Sequence, residues 1–132
     1  KAAGAHTALI SGGFTIFARS VAERCGFESY RANRLEIAKG RLSGKLKDPV
    51  LGPAAKKEAL RELAHAHAFR LDQTLAVGDG ANDIEMICAA GLGVGYRPKE
   101  VLKQKAPVSI FHGDLTALLF LQGYRRNEFA SS

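Results

Sequence analysis

Short apolar runs and longer stretches with helical periodicity follow one another along the chain. The apolar runs have the composition of buried parallel strands, whereas the periodic stretches carry apolar residues at every third or fourth position. Strands that alternate with helices predict a parallel sheet covered by helices, which places the chain in the α/β class. The predicted strands are residues 7–10, 74–77, 92–96 and 107–110, and the predicted helices are residues 14–25, 54–69, 82–90 and 115–121, with a short helix near 101–102.

Other segments add detail to this outline. Residues 33–46 have a strand pattern on both sides of a glycine-containing turn, which predicts a β-hairpin. The first helix carries Phe14, Phe17 and Val21 at helical spacing, and we expect this apolar stripe to face the core. The polar residues 125–132 are expected to form a frayed tail.

The stretch 74–91 holds the densest candidate chemistry. Gly78 and Gly80 allow the backbone to turn sharply directly after a strand. Asp79 lies between them, at the carboxyl end of the strand, where open α/β sheets bind their ligands. Asp83 follows four positions later with no bulky side chain between, so that both carboxylates can face one site.

A magnesium site is one interpretation of this turn. Mg²⁺ is bound in proteins by one or two carboxylates together with substrate phosphate and water, and Asp79 fits that role. The structural alternative is that Asp79 is a turn residue and Asp83 a helix cap. A dinucleotide site is excluded, because the third glycine of that fingerprint would fall at position 83, which is aspartate.

Two further positions suggest that the site binds an anion. Ser11 and Gly12 lie between a strand and a helix, where a hydroxyl and free backbone N–H groups can hold phosphate oxygens. Lys56 stands at the start of a helix, where the helix dipole disfavours a cation unless an anion lies nearby. The alternatives are a serine that only caps its helix and a lysine that is simply solvated.

Composition narrows the function classes. The chain has 132 residues, a net charge of +6 and 46% apolar residues, as in one ordinary globular domain. Its basic residues are dispersed and not interleaved with aromatic ones, so we expect no nucleic-acid partner. No apolar run is long enough to cross a membrane and no signal peptide is visible. Cys25 and Cys88, read as buried helix residues without metal-type spacing, fit a cytoplasmic protein.

Taken in order, these motifs resemble a known family. Residues 9–14 (Leu-Ile-Ser-Gly-Gly-Phe), Lys56 at a helix start and residues 77–83 (Val-Gly-Asp-Gly-Ala-Asn-Asp) are similar to the later motifs of the haloacid dehalogenase superfamily. Within it, the resemblance is closest to the phosphoserine phosphatase family and extends through the hairpin and residues 89–94. The fold implied is a Rossmann-like parallel sheet with a small β-hairpin insertion, and residues 1–124 would form the C-terminal part of the phosphatase domain.

One departure from the family pattern bears on activity. The first motif of the superfamily, Asp-x-Asp-x-Thr, holds the nucleophile and the general acid, and no two of the five aspartates in this chain are one residue apart. The resemblance therefore implies that the central nucleophile strand is missing and lies upstream. Its neighbours, residues 7–10 and 74–77, would then have open edges. Either a strand from an upstream segment or from a second copy in a homodimer fills the gap, or the two edges close on each other and distort the site.

The resemblance also implies roles for the matched residues. The Ser11 hydroxyl and the Gly12 N–H would hold phosphate oxygens, and Asn82 would contact phosphate or substrate. Lys56 would neutralise the charge that gathers on those oxygens during phosphoryl transfer.

The metal and its surroundings complete the implied site. Asp79 would bind Mg²⁺, and Asp83 would orient Lys56 or a metal-bound water. The expected substrate is phosphoserine, and the isolated chain is expected to be inactive. The alternatives are another phosphomonoesterase or phosphotransferase of the superfamily, or a non-catalytic interaction module that keeps the fold.

Overall fold

The computed structural model describes residues 1–129. The strands are β1 (Ala8–Phe14), β2 (Ser29–Ala38), β3 (Arg41–Lys47), β4 (Leu75–Gly78), β5 (Leu92–Tyr96) and β6 (Val108–Ile110). The α-helices are α1 (Thr15–Cys25), α2 (Pro53–Ala66), α3 (Ile84–Ala89), α4 (Glu100–Lys103) and α5 (Ala117–Leu121), and short 3-10 turns cover Leu71–Gln73, Ala81–Asp83 and Arg126–Glu128.

The strands form two separate three-stranded sheets. In the first sheet β2 lies in the middle, parallel to β1 and antiparallel to β3, which confirms the predicted hairpin. In the second sheet β4, β5 and β6 are all parallel, with Val77 opposite Val94 and Val94 opposite Val108. The α/β class is thus confirmed, and the missing central strand corresponds to the separation between β1 and β4.

The most informative difference from prediction is the end of β1. Sequence reasoning ends this strand at Ile10 and begins a helix at Phe14, whereas β1 continues through residues 11–14 and α1 begins at Thr15. The extension is held by pairing between strands, because Phe14 lies opposite Asn33 of β2 after an irregularity in the register. Ser11 and Gly12 therefore belong to the end of a strand.

The burial predicted for α1 is wrong. Phe14, Phe17 and Val21 are exposed, Phe17 with 67% of its surface accessible, whereas Ala18 and Ala22 are the buried residues of this helix. Small residues let the helix approach β1 and β2 closely. The larger apolar residues consequently form an open stripe on its outer side, which we call the α1 stripe.

The core lies between the second sheet and α2, α3 and α4. It is a cluster of five buried side chains, to which residues such as Ile10 and Ile84 add partly buried surface, and its members are Leu60, Ala76, Met86, Ile87 and Leu102. Met86 and Ile87 follow directly after the loop of the candidate site, so the loop is anchored on the best-packed part of the molecule.

The structure also bears on the predictions for the two cysteines, the C-terminal tail and membrane crossing. Cys25 and Cys88 are exposed free thiols, so their predicted burial is wrong. Part of the predicted tail is ordered, since the Phe129 ring packs on Phe120 at 4.9 Å between centroids, while residues 130–132 lie outside the described part. Among residues 1–129, none of the helices combines the length and apolarity that a membrane crossing requires.

Gly93 of β5 allows α3 to lie directly against the second sheet. A side chain at this position would overlap the carbonyl oxygen of Ile87. We expect Gly93→Ala to lower the free energy of unfolding by about 3 kcal/mol, because an added methyl group in a closed contact must push the helix away. Denaturant unfolding of the purified chain measures this change.

Gly12 provides the matched control, because it is also a strand glycine but has open space beside it. The nearest atom to an added methyl group would be Asn82 Nδ2 at 3.9 Å. Gly12→Ala should therefore change the unfolding free energy by less than about 1 kcal/mol. Equal losses for the two variants would show that the contact between β5 and α3 is not closed.

Candidate active site

The candidate site is built around the loop that follows β4. The Asp83 Oδ2 atom accepts hydrogen bonds from the backbone N–H groups of Asp79 at 3.1 Å and Gly80 at 3.2 Å. Position 78 has no room for a side chain, because a Cβ atom on Gly78 would lie 2.5 Å from the Asp83 carboxylate. The loop is thus closed on its own aspartate, which fixes the backbone on which Asp79 and Asn82 stand.

The second oxygen of Asp83 binds a lysine. Lys56 lies in the first turn of α2, and its Nζ is 2.6 Å from Asp83 Oδ1, with both side chains only 7% exposed. The interpretation of Lys56 as a solvated lysine is therefore wrong, and Asp83 is much more than a helix cap. A buried cation that is already paired and oriented can attract an anion without first losing its hydration shell.

Asp79 has a different environment. Its side chain is 65% exposed, and its carboxylate lies 3.8 Å from the Nζ of the exposed Lys99. The carbonyl of Asp79 accepts a hydrogen bond from the Lys99 N–H at 2.8 Å, which joins this loop to the segment before α4. The two carboxylates predicted to face one site thus differ, since Asp83 is buried and engaged while Asp79 faces outward.

The end of β1 contributes the Ser-Gly-Gly segment. The Ser11 hydroxyl oxygen accepts a hydrogen bond from the Gly13 N–H at 3.0 Å, which tightens the backbone around Gly12. The carbonyl of Gly12 in turn accepts a hydrogen bond from Asn33 Nδ2 at 2.9 Å. The carbonyl of Gly12 is thus held by Asn33 of β2, while the residue itself remains exposed.

The two segments meet at the same edge of the molecule. The Asn82 side-chain nitrogen lies 3.9 Å from the position where a side chain on Gly12 would begin. The structure thus brings the end of β1 next to the loop after β4, while Lys56 is joined to that loop through Asp83. All the predicted site residues therefore lie on elements that converge here, although in the described part of the chain the two sheets share no strand pairing.

Asn33 and Lys99 were missed by sequence reasoning. Asn33 is 4% exposed and bridges two segments, because its Oδ1 accepts the Leu51 N–H at 2.6 Å while its amide group donates to Gly12. A buried asparagine in a predicted strand is unusual, and that composition is the signal that could have identified it. Lys99 follows Pro98 and carried no comparable local signal.

The residues around the loop after β4 fit a metal site to which these residues contribute a single carboxylate, that of Asp79. Within residues 1–129, no cluster of three or more His, Cys, Asp or Glu side chains is able to hold a metal ion. Asp79 is an exposed carboxylate with only a long contact to Lys99. One carboxylate is a protein ligand set that Mg²⁺ accepts, since the ion retains water and substrate oxygens as its other ligands.

A family model and two similar proteins of known name all point to one family of hydrolases. The family model described as haloacid dehalogenase-like hydrolase matches residues 1–87. A phosphoserine phosphatase of Streptomyces coelicolor is 39% identical over 97% of this chain and 31% of its own length. A phosphoserine phosphatase of Methanocaldococcus jannaschii is 40% identical over 90% of this chain and 56% of its own length.

One solved structure is similar to this chain in fold as well as in sequence. The solved phospho-aspartyl intermediate analogue of a phosphoserine phosphatase is 39% identical, with a TM-score of 0.83 over 91% of this chain and 57% of that one. The 132 residues thus span from 31% to 57% of the length of these relatives. By its family-model match and by these similarities, the chain belongs to the haloacid dehalogenase-like hydrolase family.

Proposed function

We propose that these residues form the phosphate- and metal-binding part of a cytoplasmic, Mg²⁺-dependent phosphoserine phosphatase that serves serine biosynthesis. Such an enzyme converts O-phospho-L-serine and water into L-serine and phosphate. The observation that carries the proposal is the buried Lys56, which Asp83 holds beside a loop that presents Asp79 and Asn82. The substrate follows from the relatives, several of which are named phosphoserine phosphatases. The free thiols of Cys25 and Cys88 agree with a reducing compartment.

Lys56 would supply the main electrostatic contribution of this chain. Phosphoryl transfer depends mostly on positioning and on neutralising charge that spreads over the phosphoryl oxygens. Because Asp83 already holds Lys56 Nζ at 2.6 Å, the cation requires little reorganisation when the charge redistributes. Asp83 acts in this scheme as a positioning residue for Lys56 and for the loop backbone.

The end of β1 would hold phosphate oxygens. The Ser11 hydroxyl accepts the Gly13 N–H, so its own hydrogen remains available to donate to an anion. Gly12 is exposed, and the absence of a side chain lets a phosphate approach its backbone. Asn82 can donate to the same anion, because its amide nitrogen lies 3.9 Å from the position where a side chain on Gly12 would begin.

Mg²⁺ would be held at Asp79. When bound, the ion would neutralise negative charge on the phosphate oxygens and keep them oriented. Asp79 suits this role because its carboxylate is exposed on a loop whose backbone is fixed by Asp83. Lys99, at 3.8 Å, would have to turn away from the carboxylate when the ion binds.

The nucleophile would come from polypeptide outside these residues. The solved relative named a phospho-aspartyl intermediate analogue supports a covalent route through an aspartate. In that route a carboxylate oxygen bonds to phosphorus while the bond from phosphorus to the serine oxygen breaks, and the general acid of the same outside segment gives that oxygen its proton. Water then attacks phosphorus, the bond to the aspartate breaks and phosphate is released. We call the 132 residues together with a segment that supplies this aspartate the complete assembly.

The 132-residue chain alone should not hydrolyse phosphoserine. The proposed binding groups do not include a nucleophile, and without covalent catalysis the remaining residues can only hold the phosphate. Phosphate release from phosphoserine with Mg²⁺ measures the activity, and a buffer blank sets the background. The complete assembly, assayed in parallel, is expected to turn over and to lose activity when Mg²⁺ is chelated.

The outcomes separate the candidate functions. Hydrolysis by the chain alone that survives repurification would contradict the assignment of the nucleophile. A complete assembly that prefers another phosphate ester would identify a different phosphomonoesterase or phosphotransferase of the family. A complete assembly without activity on any phosphate ester would support a non-catalytic module.

A further inference from the structure

The pairing between β1 and β2 is irregular where β1 reaches the candidate site. Ile10 lies opposite Arg31 and Phe14 lies opposite Asn33, so the four steps from 10 to 14 span only the two steps from 31 to 33. The residues between, 11–13, therefore bulge out of the regular ladder. In the middle of this bulge the Gly12 carbonyl accepts its hydrogen bond from the side chain of Asn33, at 2.9 Å.

The peptide unit between Gly12 and Gly13 is held at both ends. Its carbonyl accepts from Asn33 Nδ2, and its N–H, which belongs to Gly13, donates to the Ser11 hydroxyl oxygen at 3.0 Å. Because a peptide unit is planar, the bond from Asn33 also sets the direction in which this N–H points. The position of the Ser11 hydroxyl thus depends on Asn33 through one rigid unit.

Ser11 lies close over this unit. A Cβ atom on Gly13 would lie 3.2 Å from Ser11 Oγ, which is tighter than ordinary van der Waals contact. A serine hydroxyl can otherwise occupy any of three staggered rotamers. The hydrogen bond from the Gly13 N–H selects among them, so the hydroxyl is already placed before an anion arrives.

The side chain of Asn33 is itself fixed in one orientation. It is 4% exposed, and its Oδ1 accepts the Leu51 N–H at 2.6 Å. One partner of the carboxamide is a donor and the other is an acceptor, so a flipped carboxamide would lose both hydrogen bonds. Leu51 directly precedes Gly52, whose carbonyl accepts the Lys56 N–H at 3.2 Å. The support of Ser11 is therefore anchored at the start of α2.

We propose that Asn33 is a positioning residue for the Ser11 hydroxyl. By holding the Gly12–Gly13 peptide, it keeps the Ser11 oxygen occupied as an acceptor and leaves the hydroxyl hydrogen to be donated to a bound oxyanion. A donor that is oriented in advance loses less entropy on binding and needs less reorganisation. This inference rests on the proposed function, because it concerns the same anion-binding segment.

Binding of sulfate to the ¹⁵N-labelled 132-residue chain tests the role of Asn33. Sulfate is the probe because it is a tetrahedral dianion like phosphate and its charge is constant near neutral pH. Asn33→Leu keeps a side chain of similar volume but removes both hydrogen bonds. The dissociation constant, measured from the shift of the Gly13 amide signal, should rise by about tenfold, the size expected when a hydrogen bond to a charged group is lost.

A double-mutant cycle asks whether Asn33 acts through Ser11. Ser11→Ala removes the hydroxyl and should weaken sulfate binding by about tenfold as well. If Asn33 only positions this hydroxyl, the combination of Ser11→Ala and Asn33→Leu should also weaken binding by about tenfold, and not by about a hundredfold. A general structural defect would instead weaken binding in both backgrounds, so non-additivity is specific to the proposed role.

Glu62→Gln is the matched control. It removes the ion pair between Glu62 of α2 and Arg31 of β2, which joins the same two elements but has well exposed side chains. Sulfate binding should therefore stay within about twofold of the original chain. Circular dichroism checks that each variant is folded. Asn33→Ser replaces Asn33→Leu if the latter unfolds, since one short hydroxyl cannot reach both Gly12 and Leu51.

Each outcome decides the inference. Weaker binding by Asn33→Leu that is not additive with Ser11→Ala supports it. Unchanged binding by Asn33→Leu, additive losses, or a chain that binds no sulfate at this segment would each overturn it. The proposed function is tested separately by phosphoserine hydrolysis. Sulfate results as expected, together with a complete assembly that does not hydrolyse phosphoserine, contradict the proposed function alone.

Discussion

Replacing Asp83 with alanine is expected to lower the free energy of unfolding by about 3–5 kcal/mol, because the change leaves the ammonium group of Lys56 buried without its counter-ion. The side chains of Lys56 and Asp83 are each 7% exposed, and the substitution also removes the acceptor of the Asp79 and Gly80 N–H groups. A small domain is stabilised by about 5–15 kcal/mol in total, so the variant would be close to unfolding at room temperature. Denaturant titration followed by circular dichroism gives the change.

Asp72→Ala is the matched control for this variant. Asp72 binds Arg70 with Nη2 at 2.6 Å from its carboxylate, but both side chains are well exposed. The hydrogen bond from the Arg70 guanidinium lowers the pKa of Asp72, yet water competes for both groups. The denaturation midpoint should therefore change little, although the length of this contact equals that of the buried pair.

A double variant separates the pair from other effects. Lys56→Met combined with Asp83→Ala removes both charges, so we expect it to be more stable than Asp83→Ala alone. If Asp83→Ala were no more destabilising than Asp72→Ala, the Lys56–Asp83 pair would have to be solvated. That result would contradict the description of Lys56 as a buried cation held in place by Asp83.

In the complete assembly, Lys56→Ala should lower kcat by about 10²–10³-fold, the loss typical when one preorganised charge-stabilising group is removed. The charge of Lys56 would matter most as the phosphoryl charge redistributes, so KM should change much less than kcat. Steady-state kinetics with phosphoserine, at saturating Mg²⁺ and below the melting temperature of the variant, measures both constants.

Two further variants make this result specific. Lys57→Ala removes the neighbouring lysine, which is a third exposed and lies 3.9 Å from Glu85, and kcat should remain near normal. Asp79→Asn should instead raise the Mg²⁺ concentration needed for half-maximal activity, because it removes charge from a hard-cation site. Near-normal kinetics for both Lys56→Ala and Asp79→Asn at limiting Mg²⁺ would show that the proposed roles are wrong.

The sequence predicts best where local signals agree with the tertiary structure. β5 begins after Gly91 and ends shortly before Pro98, and its predicted bounds, residues 92–96, are those observed. The loop after β4 was predicted as a site because Gly78 and Gly80 surround an aspartate at the end of a strand. In both segments the backbone conformation is decided by neighbouring residues, which a single sequence displays.

Long-range contacts account for the predictions that failed. The end of β1 is set by pairing between Phe14 and Asn33, which no local pattern reveals. Periodicity identified the apolar stripe on α1, but it cannot tell whether anything covers that face. The different environments of Asp79 and Asp83 likewise depend on where α2 places Lys56, and this is a property of the whole fold.

The α1 stripe also affects how the chain behaves at high concentration. Its residues Phe14, Phe17 and Val21 form an exposed apolar face on a molecule whose net charge is +6. Like charge keeps separate molecules apart, but salt shortens the range of that repulsion to about 8 Å at 0.15 M ionic strength, while contact between apolar faces is not screened. Ionic strength therefore sets the balance between dispersed molecules and association through the outer face of α1, and dilute salt favours the dispersed state.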